Sequence, residues 1–278
     1  MRLPRAGASG GAPARRMTTR DEKAPKRKLA ARPVEQPGLG LIVEPQPDNV
    51  TCGPACLHGV YRYYGDTISL DEVSAATHML DAGGTLDVFL ANHALKRGYR
   101  VTLYTYNLEL FDPTWFSLER GAMREKLRAQ AVVKDDPKLG LATRGYDEFL
   151  ERGGRLRLRD LEPELLRRLL SRGTPLITGL SATYLYRSVR DLPDTDEDDD
   201  VAGRPVGHFV VLTGYRPESR EVLVADPYPR NPFARAGYYA VRIHRLIGAV
   251  LLGIMTYDAN LLVIEPRRRP ARTLSRPE

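Results

Sequence analysis

Gln46-Pro-Asp-Asn-Val-Thr-Cys-Gly-Pro-Ala-Cys-Leu-His58 is the stretch from which the fold is read. Thr51 is placed to cap a helix, and Pro54 falls in its first turn, where a missing N–H costs nothing. The spacing predicts a helix running to about Tyr64 and stopping at Gly65. Cys52 then sits at a helix N-terminus, where unpaired N–H groups and the positive end of the dipole stabilise a thiolate. The competing reading is a small buried residue, the usual fate of cysteine, and it is the better one for Cys56, one turn further on and predicted to face the core. Gln46 lies on the extended approach to the helix, six residues before Cys52.

Outward from this helix, Ser69-Leu-Asp-Glu72 has capping-box spacing and predicts a second helix over 70–80. Gly83-Gly84-Thr85 opens a third, Leu86 to Arg97, with Val88, Leu90, Ala91, Ala94 and Leu95 on one stripe and Gly98 at its end. Arg100 to Tyr106 reads as a strand. Residues 113–159 read as a helical insertion with short helices. Asp160 is the predicted cap of a helix over 161–172, and Pro175 to Leu180 reads as a buried strand. After an acidic loop, Asp191 to Asp200, come strand-like runs at Val206–Tyr215 and Glu221–Asp226 with a turn between them. Tyr238 to Ile243 is a further strand, His244 to Leu252 a helix and Asn260 to Ile264 a closing strand. Helices precede strands without βαβ alternation, so the class is α+β. No internal repeat is visible.

The 278 residues carry 42 Lys+Arg, 35 Asp+Glu and two cysteines, a formal charge of +7. Residues 1–38 hold ten basic and three acidic side chains, and 266–278 hold five and one, leaving 39–265 mildly acidic at −4. The positive charge belongs to Pro/Ala/Arg-rich ends, expected to be disordered basic tails, and specific nucleic-acid recognition is not expected. Met17 is a candidate start, since nothing before it reads as structure. No apolar run approaches the roughly 18 residues of a spanning helix, the longest being Leu246 to Met255, and the first thirty residues lack an apolar signal core. The expectation is a cytoplasmic chain with Cys52 and Cys56 reduced. Asp194, Asp196 and Asp198 alternate as in a calcium loop, but Asp199 and Pro205 stand where Gly and Glu are needed. No Cys/His set has zinc spacing, so no metal and no other cofactor is expected; the acidic loop is read as a flexible flap near the site.

A nucleophilic thiol needs a base. His58, His78 and His93 fall within predicted helices and His244 at the start of the late one, where a surface or satisfied core role suffices. His208 lies on the strand Gly207-His-Phe-Val-Val-Leu212, alternating with Val210 and Leu212 and away from Phe209 and Val211. If residue numbers across the hairpin sum to 434 or 436, Asp226 stands opposite His208 or its same-face neighbour Val210. The pair then either orients an imidazole for catalysis or closes a sheet edge as a polar cross-strand pair; spacing leaves both open. The Gln46 amide is a candidate to join the Cys52 N–H in an oxyanion hole.

With these residues in place, the sequence resembles the papain-like cysteine peptidases that remove double-glycine leader peptides from bacteriocins. The resemblance rests on Gln46 followed by Cys52-Gly-Pro-Ala-Cys-Leu57, on Gly207-His-Phe-Val-Val-Leu212 and on Asp226-Pro227, with Gly83 to Gly98 similar to the family's second helical stretch; it covers roughly residues 40–265. It implies a papain-like α+β fold over 39–265, with the insertion 113–159 and the acidic loop 191–200 added. It further implies Cys52 as nucleophile, His208 as general base and then acid, Asp226 as orienter, Gln46 as oxyanion donor, and a peptide or protein substrate. Transporter-fused members carry a membrane domain and an ATPase; without a spanning helix or a Gly-x-x-x-x-Gly-Lys-Ser/Thr loop, the resemblance is to a free-standing relative. Two alternatives use the same residues: an acyl-transfer or amide-forming enzyme, in which an amine replaces water at the thioester, and a non-catalytic peptide-binding module. The acidic loop, beside Arg187, Arg190 and Arg204, favours basic substrate segments.

Overall fold

The computed structural model describes residues 31–267 except 36, 37, 82, 194, 196, 235 and 258. The expected tails lie mostly outside the described residues. The folded part begins earlier than expected, however: Ala31–Pro33 is a strand (β1) that adds to the sheet edge, and Arg32 ion-pairs with Glu221 at 2.6 Å.

The helices Cys52–Tyr63 (α1), Leu70–Ala76 (α2) and Asp87–Lys96 (α3) follow, then the strand Arg100–Thr105 (β2). Ser69 and Glu72 form the capping box expected at α2. This helix ends four residues before the expected limit, because Thr77 turns extended and its hydroxyl donates to the Val73 carbonyl at 2.7 Å.

The stretch expected as an insertion is part of the main core. It contains two long helices, Arg120–Lys134 (α4) and Pro137–Glu151 (α5), and ends in the strand Arg155–Arg157 (β3), which pairs in parallel with β2. Asp135 makes the tight turn between the helices in the left-handed region, and Asp136 caps α5 through the Leu139 N–H, with Pro137 in the first turn. Tyr146 and Phe149 of α5 are fully buried, Tyr146 edge-on to Phe111. Polar gaps in 113–159 hid this amphipathic pattern.

Pro163–Leu170 (α6) starts after Glu162 rather than at the expected cap, Asp160, because Pro163 sets the first helical φ. The remaining elements are Leu176–Ser181 (β4), Ala182–Tyr186 (α7), Gly207–Arg216 (β5), Glu221–Ala225 (β6), Tyr238–Arg242 (β7), Ile243–Leu252 (α8) and Asn260–Glu265 (β8). They close an eight-stranded sheet of order β1-β7-β6-β5-β4-β8-β2-β3, in which only β2 and β3 run parallel. The fold is α+β, with the N-terminal helices packed on a sheet that is antiparallel throughout its C-terminal strands.

Strand alternation divides the core. Phe209 and Val211 of β5 join the cluster of α1, α3 and α5, whereas Val210 and Leu212 join that of α6 and α8. The β5–β6 register sums to 436 at Val211↔Ala225 and Leu212↔Val224, and a bulge between Leu212 and Gly214 shifts it by one on the side toward the turn, to Gly214↔Leu223. Extended by one residue, the register sets Asp226 beside Val210, the second of the two expected alternatives. Among the described residues, no helix is long and apolar enough to cross a membrane.

Candidate active site

The N-terminus of α1, the start of β5 and the end of β6 meet at one end of the sheet. At α1, Thr51 occupies the expected cap position but does not cap: its hydroxyl, its N–H and the Val50 N–H all donate to Asp48 Oδ1 at 2.8, 2.8 and 2.9 Å. The first helical bond runs from Ala55 N to Thr51 O. The Cys52 and Gly53 N–H groups thus lie in the turn that has no intrahelical acceptors. Gly53 is required by contact, since a Cβ there would lie 2.8 Å from Thr85 Cγ2 and 3.2 Å from Leu90 Cδ1.

The two cysteines are free thiols in different surroundings. Cys56 donates to Phe209 O at 3.3 Å, and burial pushes its thiol well above the ordinary range. Cys52 is in hydrogen-bonding reach of His208.

His208 Nε2 lies 2.9 Å from Asp226 Oδ1, in a pair whose side chains are 8% and 0% exposed. With Nε2 committed to the carboxylate, Nδ1 is the nitrogen left to Cys52. Burial alone would depress the His208 pKa. The charge and hydrogen bond of Asp226, with Cys52 adding to them, outweigh burial and push it up to about 10. Asp226 Oδ1 also accepts the Tyr228 N–H at 2.9 Å, while Oδ2 accepts the hydroxyls of Tyr186 at 2.6 Å and Tyr239 at 2.8 Å. Four donors therefore meet one buried carboxylate.

Gln46 is buried, and its backbone N–H donates to Pro227 O at 2.9 Å, which ties it to the residue after Asp226. Its amide Nε2 donates one hydrogen to Asp48 O at 2.6 Å, leaving the second hydrogen unspent, and its Oε1 is buried without a partner. The other histidines stand elsewhere. His93 is buried against the Tyr61 hydroxyl at 2.8 Å, His58 is buried 4.0 Å from Glu44, His78 stands edge-on to Phe89, and His244 is exposed.

In its described residues the acidic loop carries hydrogen bonds of its own. It leaves α7 through Arg187 in the left-handed region and is cross-bonded at its neck between Asp191 and Arg204 in both directions. Arg190 donates to the Asp200 carbonyl and Asp199 Oδ1 accepts the Val201 and Ala202 N–H groups. The chain returns through Val206, bonded to Ala182 and Thr183, two residues before His208.

Sequence reasoning missed three residues that shape this site. Asp48 carried a signal, a Pro-Asp-Asn turn ahead of a helix. Tyr186 and Tyr239 carried none, because nothing in their neighbours marks a tyrosine that reaches a carboxylate on another strand.

The profile of the Peptidase_C39 like family matches residues 162–241, a span that holds His208 and Asp226 and begins after Cys52. No curated protein matches the sequence. Solved structures similar to the chain include a double glycine motif protease from an AMS/PCAT transporter in complex with the leader peptide, at 15% identity and a TM-score of 0.42, covering 84% of this chain and 98% of that one. They also include a C39-like peptidase from Bacillus anthracis, at 14% identity, TM-score 0.44 and 84% and 99% coverage. Xylellain, a cysteine protease from Xylella fastidiosa, aligns at 17% identity, TM-score 0.40 and 85% and 87% coverage. In the segment that carries His208 and Asp226, the chain is similar to the C39-like peptidases.

Proposed function

We propose that this chain is a cysteine peptidase or closely related amide hydrolase acting through Cys52, His208 and Asp226. The observation that carries the reading is the His208 ring, bonded through Nε2 to a fully buried Asp226, with Cys52, at a helix N-terminus, in hydrogen-bonding reach of it. A merely structural polar pair has no need of a thiol in that place.

In this reading the imidazolium, favoured through neutral pH, faces a Cys52 thiolate that attacks the substrate carbonyl carbon. The oxyanion is met by the Cys52 N–H and by the unspent Nε2 hydrogen of Gln46. His208 Nδ1–H then protonates the leaving amine, so that the C–N bond breaks and a thioester forms. Neutral His208 next takes a proton from water as it attacks the thioester, and the acid leaves with Cys52 returned as thiolate. Asp226 holds the ring orientation through both halves. The substrate in this proposal is a peptide or protein.

Incubating the protein with a proteome-derived peptide library and reading new termini by mass spectrometry tests the proposal. Termini that appear with wild type and vanish with Cys52→Ala and His208→Ala support it. Termini that persist in Cys52→Ala rule out this nucleophile.

A further inference from the structure

We propose that Tyr186 is a positioning residue of this site, holding Asp226 so that Oδ1 faces His208; the inference rests on the triad reading given above. Tyr186 is the last residue of α7, on neither of the strands that carry the pair. Its hydroxyl is nevertheless the closest donor to the carboxylate, 2.6 Å from Oδ2, against 2.8 Å for Tyr239 and 2.9 Å for His208 and the Tyr228 N–H at Oδ1.

A carboxylate on a single Cβ–Cγ bond is free to rotate, and His208 needs one oxygen in its ring plane. The donors are divided by oxygen. Two hydroxyls pin Oδ2, and that fixes Oδ1 toward the imidazole. Burial and the Asp226 charge push the Tyr186 hydroxyl far above its ordinary range, so it keeps its proton and donates. The ring is held in turn by Phe233 at 5.6 Å in an edge contact and by Tyr228, stacked at 6.4 Å, and it lies 6.2 Å from the His208 ring. These contacts fix the hydroxyl's direction without help from solvent.

Tyr186 also stands at a junction, because Arg187 turns into the acidic loop and the loop comes back at Gly207 and His208. Both ends of that loop therefore reach Asp226, one through the Tyr186 hydroxyl and the other through the imidazole.

The test is the rate of Cys52 carbamidomethylation by iodoacetamide across pH, read by peptide mass spectrometry, in Tyr186→Phe, Tyr186→Leu, Tyr184→Phe and Asp226→Asn. Tyr186→Phe keeps the ring and its packing and removes only the hydroxyl. We expect it to slow alkylation near neutral pH by about tenfold, the effect of losing one hydrogen bond to a charged group, and to change the pH profile while thermal unfolding moves little. Tyr184, whose ring packs on Arg245 and does not reach Asp226, should be silent when its hydroxyl is removed. If Tyr186→Phe reacts as wild type while Tyr186→Leu is impaired, the role is packing and the proposal is overturned. Asp226→Asn separates the two levels: if it too leaves the profile unchanged, the triad reading itself fails, whereas a slow Asp226→Asn beside a wild-type-like Tyr186→Phe removes this inference alone.

Discussion

Cys52 and Cys56 lie one turn apart on α1, yet Cys56 points into the core and gives its thiol to the Phe209 carbonyl at 3.3 Å while Cys52 meets His208. One helical turn thus separates a structural thiol from the candidate nucleophile. Cys56→Ser keeps a donor of similar size for the Phe209 carbonyl, so it should leave alkylation of Cys52 unchanged and lower stability by about 1 kcal/mol. Chemical denaturation with mass-spectrometric readout of the two cysteines checks this; a Cys56 that reacts as fast as Cys52 in the folded protein would count against the assignment.

The His208–Asp226 pair links stability to pH. His208 is raised from about 6.5 when unfolded to about 10 when folded. Its contribution is therefore fully present below pH 6.5, declines as pH rises and is exhausted above about 10. Thermal melts of wild type and His208→Gln should converge on going from neutral pH to about pH 10. Asp226→Asn should cost about 3 kcal/mol at neutral pH, because it removes the counter-charge of a buried imidazolium. A constant gap between wild type and His208→Gln over that range would contradict the linkage.

Gly53 is set by the close approach of α1 to the chain ahead of α3. Gly53→Ala should destabilise by about 1–3 kcal/mol and slow Cys52 alkylation, since the first turn must move away from Thr85 and Leu90. Thr85→Ser removes the offending methyl and keeps the hydroxyl that bonds the His78 carbonyl at 2.6 Å. The Gly53→Ala/Thr85→Ser pair should recover much of both losses, and a strictly additive double variant would show that the contact with Thr85 is not the cause.

Asp48 frames the approach to the nucleophile. Its Oδ1 holds three donors from Val50 and Thr51, and its carbonyl holds the Gln46 amide. Those hydrogen bonds outweigh partial burial and keep its carboxyl below the usual range. Asp48→Ala should cost about 1–2 kcal/mol, similar to loss of a helix cap, and lower peptide turnover more than substrate affinity, because the backbone carbonyl that anchors the Gln46 amide stays but the Oδ1 bonds that hold its loop in place are lost. Steady-state kinetics on any peptide found in the library digest, with Asp48→Asn as the conservative comparison, measures the division.

Much of this arrangement was legible in the residues. The helix at Cys52, the strand at His208 and the hairpin that brings Asp226 to it follow from an early proline, glycines and period-two alternation, all local signals. The register near the site was one of the two written from numbering alone. The long helices α4 and α5 were not legible because their apolar faces are broken by charged side chains that pair across the helices, as Arg124 does with Asp147 at 2.7 Å. Strand β1 was hidden in a basic segment, since it pairs with β7 through backbone groups and its ion pair, Arg32 with Glu221, reaches across to β6. Tyr186 and Tyr239 depend on three-dimensional convergence alone.

The most direct test of the account is the pH dependence of Cys52 alkylation in wild type and His208→Ala, with Cys56 as an internal reference. The account predicts selective reaction of Cys52 near neutral pH, lost or moved to higher pH without His208, while Cys56 stays inert in both. Equal reaction of the two cysteines, or a Cys52 profile indifferent to His208, would contradict the thiolate–imidazolium pair on which the proposed chemistry depends.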